Sequence, residues 1–144
     1  MELVKLAQII ATGAHNGQVD KGGQSYIEHP KAVVSFVETE DEKTVAWLHD
    51  VVEDTDVELI DLVLIGFPLR IVNAVDAITH RKGEDRRVYL NRVANDPIAV
   101  RVKLADLMHN SDLTRIKNRL LEQKDYDRVE RYKQEIKYLE NYNV

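Results

Sequence analysis

The residues able to do chemistry crowd into one stretch, Thr44-Val45-Ala46-Trp47-Leu48-His49-Asp50-Val51-Val52-Glu53-Asp54-Thr55. A His-Asp pair lies inside an apolar run and a Glu-Asp pair follows at once. Side chains three and four apart on a helix share a face. The stretch therefore predicts a helix from about Glu42 to Glu53 or Asp54, with His49, Asp50, Glu53 and Asp54 on one side over Ala46. Val45, Leu48 and Val52 then face a core. Ionisable groups lodged among Leu, Trp and Val are costly without a compensating partner. A metal cation satisfies one imidazole and up to three carboxylates together. Taken by itself, the stretch also reads as an ordinary helix whose acids look into water.

Matching ligands occur elsewhere in the chain. His29 opens a helix just before Pro30, and Asp106 shares a helical stripe with Lys103 and Asn110. His29, His49, Asp50 and Asp106 make a mixed nitrogen and oxygen set that suits Mn²⁺, Fe²⁺ or Zn²⁺ better than Mg²⁺. Four protein ligands leave positions for water, which a divalent ion acidifies toward neutrality for attack on phosphorus. The chain has no cysteine, which excludes disulfides and thiolate zinc sites. His15, His80 and His109 fall outside the set. His15 is expected to cap the end of the first helix, and His109 to pack beside the metal helix.

The elements that must position these groups are helical almost throughout. Leu3, Leu6, Ile10 and Ala14 follow a 3.6-residue period, and a Gly-rich loop from Asn16 to Glu28 comes next. Helices are expected from His29 to Glu38, over the central stretch, and over Val57 to Ile65, with Thr55 or Asp56 as cap and Gly66 as stop. Pro68 starts another, Glu84 to Ala94 is a further one, and Asp96-Pro97 is a strong start signal for the helix carrying Asp106. Ser111 or Asp112 ends it, and one or two charged helices complete the chain to Tyr142. The expected fold is all-α, a single compact helical bundle over 1–144. With 144 residues, 44% hydrophobic and 31% charged, the chain is long enough for its own core. A net charge of −5 argues against a nucleic-acid partner. No stretch approaches a membrane span, and Met1 to Ala14, carrying Glu2 and Lys5, reads as a first helix rather than a signal peptide. The expected setting is cytoplasmic.

The order His…His-Asp…Asp resembles the HD superfamily of metal-dependent phosphohydrolases. The surrounding words are more specific: Ala14-His15-Asn16-Gly17-Gln18, Lys21-Gly22-Gly23, Tyr26-Ile27-Glu28-His29-Pro30, Leu48 to Thr55, and Lys103-Leu104-Ala105-Asp106 with His109-Asn110. These resemble the hydrolase domain of the RelA/SpoT alarmone enzymes over about residues 6 to 115. The resemblance implies an HD-domain bundle in which His29, His49, Asp50 and Asp106 bind one Mn²⁺, and removal of the 3′-pyrophosphate of ppGpp, a step of the stringent response. It further implies that Glu53 and Asp54 manage protons beside the metal water, that Asn110 lines the substrate pocket, and that Lys21 belongs to a basic pair near the nucleotide. The other member of that pair is Asp20 here, where the family carries arginine; a carboxylate neither stacks on guanine nor pairs with phosphate.

Lys82, in the run Arg81, Lys82, Arg86 and Arg87, is expected to gather phosphates by electrostatic attraction, with a solvated surface as the alternative. Lys103 is expected to hold a salt bridge. Tyr126, Tyr132, Tyr138 and Tyr142 are expected to serve packing or a homodimer surface. The partner is then a small phosphorylated nucleotide. Three other readings stay open: a nucleotide phosphomonoesterase, for example on the 2′-phosphate of NADPH, which Asp20 favours; a non-catalytic nucleotide or alarmone sensor; and a structural metal that only ties helices together.

Overall fold

Local capping chemistry starts the two helices that matter most for the site, as seen in a computed structural model that describes residues 2–142. Helix α1 spans Leu3–Ala14, α2 spans Glu28–Ser35 and α3 spans Glu40–Leu48. Thr39 caps α3: its hydroxyl accepts from the Glu42 N–H, and the Glu42 carboxylate reaches back to the Thr39 N–H. A short helix α4, Val51–Asp54, follows, then α5 (Leu59–Ile65), α6 (Leu69–Ile78), α7 (Arg86–Ala94) and α8 (Pro97–Asn110). Asp96 Oδ1 accepts from the N–H groups of Ile98 and Ala99 at 3.0 and 2.9 Å, and Pro97 fills the first helical position. A 3₁₀ turn, Leu113–Arg115, precedes the long last helix α9, Gln123–Asn141. Among the described residues the only β pairing is an isolated bridge, Val19 to Ser25. The fold is all-α.

Helix α3 is the hub. It packs against α1, α2, α6 and α8, and its last five residues, Thr44 to Leu48, are all buried. Helix α9 lies across α8 and α7 and closes the other side of the bundle.

The central stretch differs from the continuous helix that its pattern predicts. It breaks at His49-Asp50, and α4 resumes with Asp50 at its N-cap. The ring Nδ1 of His49 lies 2.7 Å from the Ala46 carbonyl oxygen, the acceptor that the Asp50 N–H takes in a continuing helix. The break turns the following residues, so that Val51 is fully buried and Val52 only partly so. Three boundaries also differ. Helix α5 begins at Leu59, capped by Glu58 with Asp61 returning the bond, because the Thr55 hydroxyl is used on Val51 and Val57. Helix α7 begins at Arg86 with Asp85 as cap, Glu84 being held by Arg92. Helix α2 ends at Ser35 rather than Glu38.

Candidate metal centre

Four elements converge on one point. His29 comes from α2, His49 follows the last residue of α3, Asp50 stands at the N-cap position of α4 and Asp106 comes from α8. Nε2 of His29 lies 2.7 Å from Asp106 Oδ1 and 3.8 Å from Asp50 Oδ2. Nε2 of His49 lies 3.1 Å from Asp50 Oδ2 and 3.3 Å from Asp106 Oδ1. One donor atom from each of the four lies within 4.8 Å of all the others. His29, His49 and Asp106 are buried.

The tautomers test whether a cation fits. The His49 Nδ1 faces the Ala46 carbonyl and must carry the hydrogen. In the neutral ring, the Nε2 lone pair then points at two carboxylate oxygens. Lone pair against anion is repulsive, and a cation among them reverses the sign of every contact. The ionisation equilibria follow the same logic. Burial pushes the His49 imidazole down, but Asp50 and the hydrogen bonds to both carboxylates override it and hold the ring well above its usual range. Burial raises Asp106, yet Lys103 at 2.9 Å and the two imidazoles pull it well below the carboxylate range. The set fits a divalent ion.

A cavity of about 450 Å³ opens beside the cluster. Asp50, Glu53 and Asp54 line one part of it, and their carboxylates approach within 4.8 Å. Burial, with Asp50 and Glu53 adding to it, raises Asp54 to about 6. Glu53 is held by the His80 N–H at 2.7 Å. Lys21, Arg86, Lys103, Arg115 and Arg128 supply positive charge to the same cavity, and Asn110 lines it too. Most of these cations are already paired: Arg86 with Glu135, Arg115 with Asp20 at 3.1 Å, Arg128 with Asp125. Lys21 makes no ion pair among the described residues, and burial together with nearby Arg128 lowers its pKa.

The remaining expectations sort by geometry. Lys82 is not brought to the cavity: it sits exposed on the turn before α7, while Arg86, one helical turn further on, lines the wall. Asp20 does not face the cavity as a free acid, because it is locked to Arg115 and to the N–H groups of Gly22 and Gln24. His15 caps α1 through its N–H to Ala11, and His109 stacks on His29 with ring centroids 5.0 Å apart. Tyr132 lines the cavity. Sequence reasoning did not select Tyr26, Arg115 or Arg128. Tyr26 donates to Asp50 Oδ2 at 2.5 Å, and burial with the neighbouring acids raises its pKa, keeping the phenol protonated.

The chain is thus an all-α bundle in which two histidines and two aspartates converge beside a cavity lined by both acids and cations. No family model matches the chain. Its sequence is 33% identical over 124 residues to a probable guanosine-3′,5′-bis(diphosphate) 3′-pyrophosphohydrolase of Synechocystis, covering 75% of this chain and 16% of that protein. It is 32% identical over 143 residues to a GTP pyrophosphokinase of Streptomyces coelicolor (90% and 17%), and 31% over 121 residues to the bifunctional (p)ppGpp synthase/hydrolase SpoT of Escherichia coli (74% and 17%). The chain spans about a sixth of the length of these curated relatives. A solved structure of a metazoan ortholog of SpoT that hydrolyses ppGpp shares the fold, with a TM-score of 0.82 over 100% of this chain and 89% of that one at 22% identity. By sequence the chain is similar to these RelA/SpoT-type proteins over 74–90% of its own length, and by fold to the SpoT ortholog. No described helix is long and apolar enough to cross a membrane.

Proposed function

We propose that this chain is a Mn²⁺-dependent phosphohydrolase that removes the 3′-pyrophosphate of a (p)ppGpp-like nucleotide. The observation that carries the reading is the placement of the four-ligand cluster at the wall of a cavity lined by both carboxylates and cations. His29, His49, Asp50 and Asp106 would hold the ion, which supplies positive charge to the phosphoryl oxygens and acidity to a water. Lys21, which has no ion-pair partner among the described residues, and Asn110 bind the nucleotide. Glu53 and Asp54 handle the two protons that hydrolysis requires: one leaves the attacking water, and one reaches the departing 3′-oxygen. A bond forms from water oxygen to phosphorus as the bond from phosphorus to the 3′-oxygen breaks, releasing pyrophosphate. Asp54, raised to about 6 by burial and its acidic neighbours, changes protonation close to neutral pH. The two neighbouring acids share the roles of base and acid, and neither role is assigned to one residue.

A second reading, hydrolysis of a phosphomonoester such as the 2′-phosphate of NADPH, draws on one observation. The Asp20–Arg115 pair neutralises a guanidinium at the cavity, which suits a less anionic substrate. The test is metal analysis of protein purified without a metal-affinity tag, then product analysis with ppGpp, pppGpp, NADPH and simple nucleotides under Mn²⁺. Pyrophosphate is expected together with the nucleoside 5′-diphosphate from ppGpp and with the 5′-triphosphate from pppGpp. Phosphate from NADPH alone selects the second reading. Binding with no product from any substrate, and a Kd indifferent to neutralising Glu53 and Asp54, leaves only a sensor.

A further inference from the structure

Three of the four candidate ligands have an evident partner that aims them. His49 is fixed by the Ala46 carbonyl, His29 by the Nδ1 of His109 at 2.7 Å, and Asp106 by Lys103 and by Asn110 Nδ2 at 3.1 Å. Asp50 is different. It stands at the break between α3 and α4, and its side chain makes no capping bond to its own helix. Of the four side chains it is the most exposed, at 16%. A carboxylate in such a place rotates unless something outside its helix holds it.

The phenol of Tyr26 does so, donating to Oδ2 at 2.5 Å. That oxygen is the one facing both imidazoles. A carboxylate oxygen has two lone-pair directions, so one can take the phenol hydrogen while the other stays aimed at the cluster. The phenol is itself pinned. Its ring sits between two imidazoles, with centroids 4.8 Å from His15 and 5.9 Å from His29. Its N–H donates to the Gln18 carbonyl at 2.8 Å, and its carbonyl accepts from the His29 N–H at 3.0 Å. One turn of chain thereby carries a ligand, His29, and the group that steers another.

We propose that Tyr26 is a positioning residue that orients Asp50 for the ion, completing a set in which every ligand has its own hydrogen-bonded support. The inference rests on the metal reading above. Outer partners of this kind typically change metal affinity 10–100-fold when removed. The experiment is titration of metal-free protein with Mn²⁺ by calorimetry, comparing wild type with Tyr26→Phe, which keeps the ring between His15 and His29 and deletes only the hydroxyl. The Mn²⁺ Kd is expected to rise about 10–100-fold, with the Tm of the ion-free protein close to wild type and turnover restored by excess Mn²⁺. A double-mutant cycle with Asp50→Asn should show losses that do not add, because the phenol acts on the ion only through that side chain. An unchanged Kd in Tyr26→Phe overturns the inference, as does a lowered ion-free Tm with unchanged Kd, or additive losses in the cycle. If the wild type itself takes up no Mn²⁺, the metal reading falls first and this inference with it.

Discussion

Two aspartates of this molecule are buried side by side with cations, and they do opposite things. Asp125, at the start of α9, is completely enclosed. Its oxygens accept from two guanidinium nitrogens of Arg119 at 2.8 Å each, from Arg128 at 3.0 Å and from the Glu122 N–H at 2.8 Å. Each of these partners is a hydrogen-bearing donor, and the Arg119 bonds, followed by that of Glu122, hold the carboxyl far below its ordinary range. Asp106, in α8, is also buried, but its Oδ1 meets imidazole nitrogens whose other ring atoms are already engaged. One carboxylate is saturated by permanent donors and locks the helix start. The other is arranged so that a lone pair or a proton is left over, and an external cation resolves the conflict. Burial and charge alone do not separate a staple from a site; the hydrogen count of the partners does.

The largest effect expected is at Asp106. Asp106→Ala should abolish Mn²⁺ retention and turnover, and should also destabilise the ion-free protein by about 3–5 kcal/mol by stranding the buried Lys103. His49→Ala and Asp50→Ala should lose ion and activity as well. Metal content, turnover and denaturant unfolding check this, and full activity in any of these variants removes the comparison's premise. Next come Glu53→Gln and Asp54→Asn, which should keep the ion while turnover falls about 10²–10⁴-fold; equal turnover in both variants and wild type would end their catalytic role.

Asp125→Asn should show the reverse profile, with unchanged Mn²⁺ affinity and a lower Tm at neutral pH. The sign follows from linkage. Asp125 has a folded pKa below its unfolded one, so its contribution is present above the ordinary carboxylate pKa of about 4 and is lost as pH falls through the folded value. The Tm gap between variant and wild type should therefore close on acidification, and a gap that widens there would contradict the staple. The smallest effects are at the surface cations. Lys21→Ala should raise KM about tenfold, roughly 1.4 kcal/mol of nucleotide binding, whereas Lys82→Ala, outside the cavity, should leave KM within about twofold. Equal effects would mean that long-range field rather than contact gathers the substrate.

Much of this architecture is legible because its causes are local. Asp96-Pro97 starts α8 through bonds that reach two and three residues ahead, and Gly66 ends α5 with φ at +115°, a backbone state open to glycine. The identities and order of His29, His49, Asp50 and Asp106 likewise stand in the sequence, since cation chemistry restricts which side chains serve. The helix break at His49 was not legible. A uniform apolar period gives no sign that a ring nitrogen will take the Ala46 carbonyl and swing Val51, rather than Val52, into the core.

The amino-acid sequence by itself determined the helices, their caps and the donor types available to an ion, because these depend on neighbours within a turn or two. The tertiary structure alone decided which charges remain free. Tyr26 reaches Asp50 across 24 positions, Arg86 reaches Glu135 across 49, and Asp20 reaches Arg115 across 95. Whether a side chain is a ligand, a support or a neutralised wall depends on partners that only the packed bundle brings within hydrogen-bond distance.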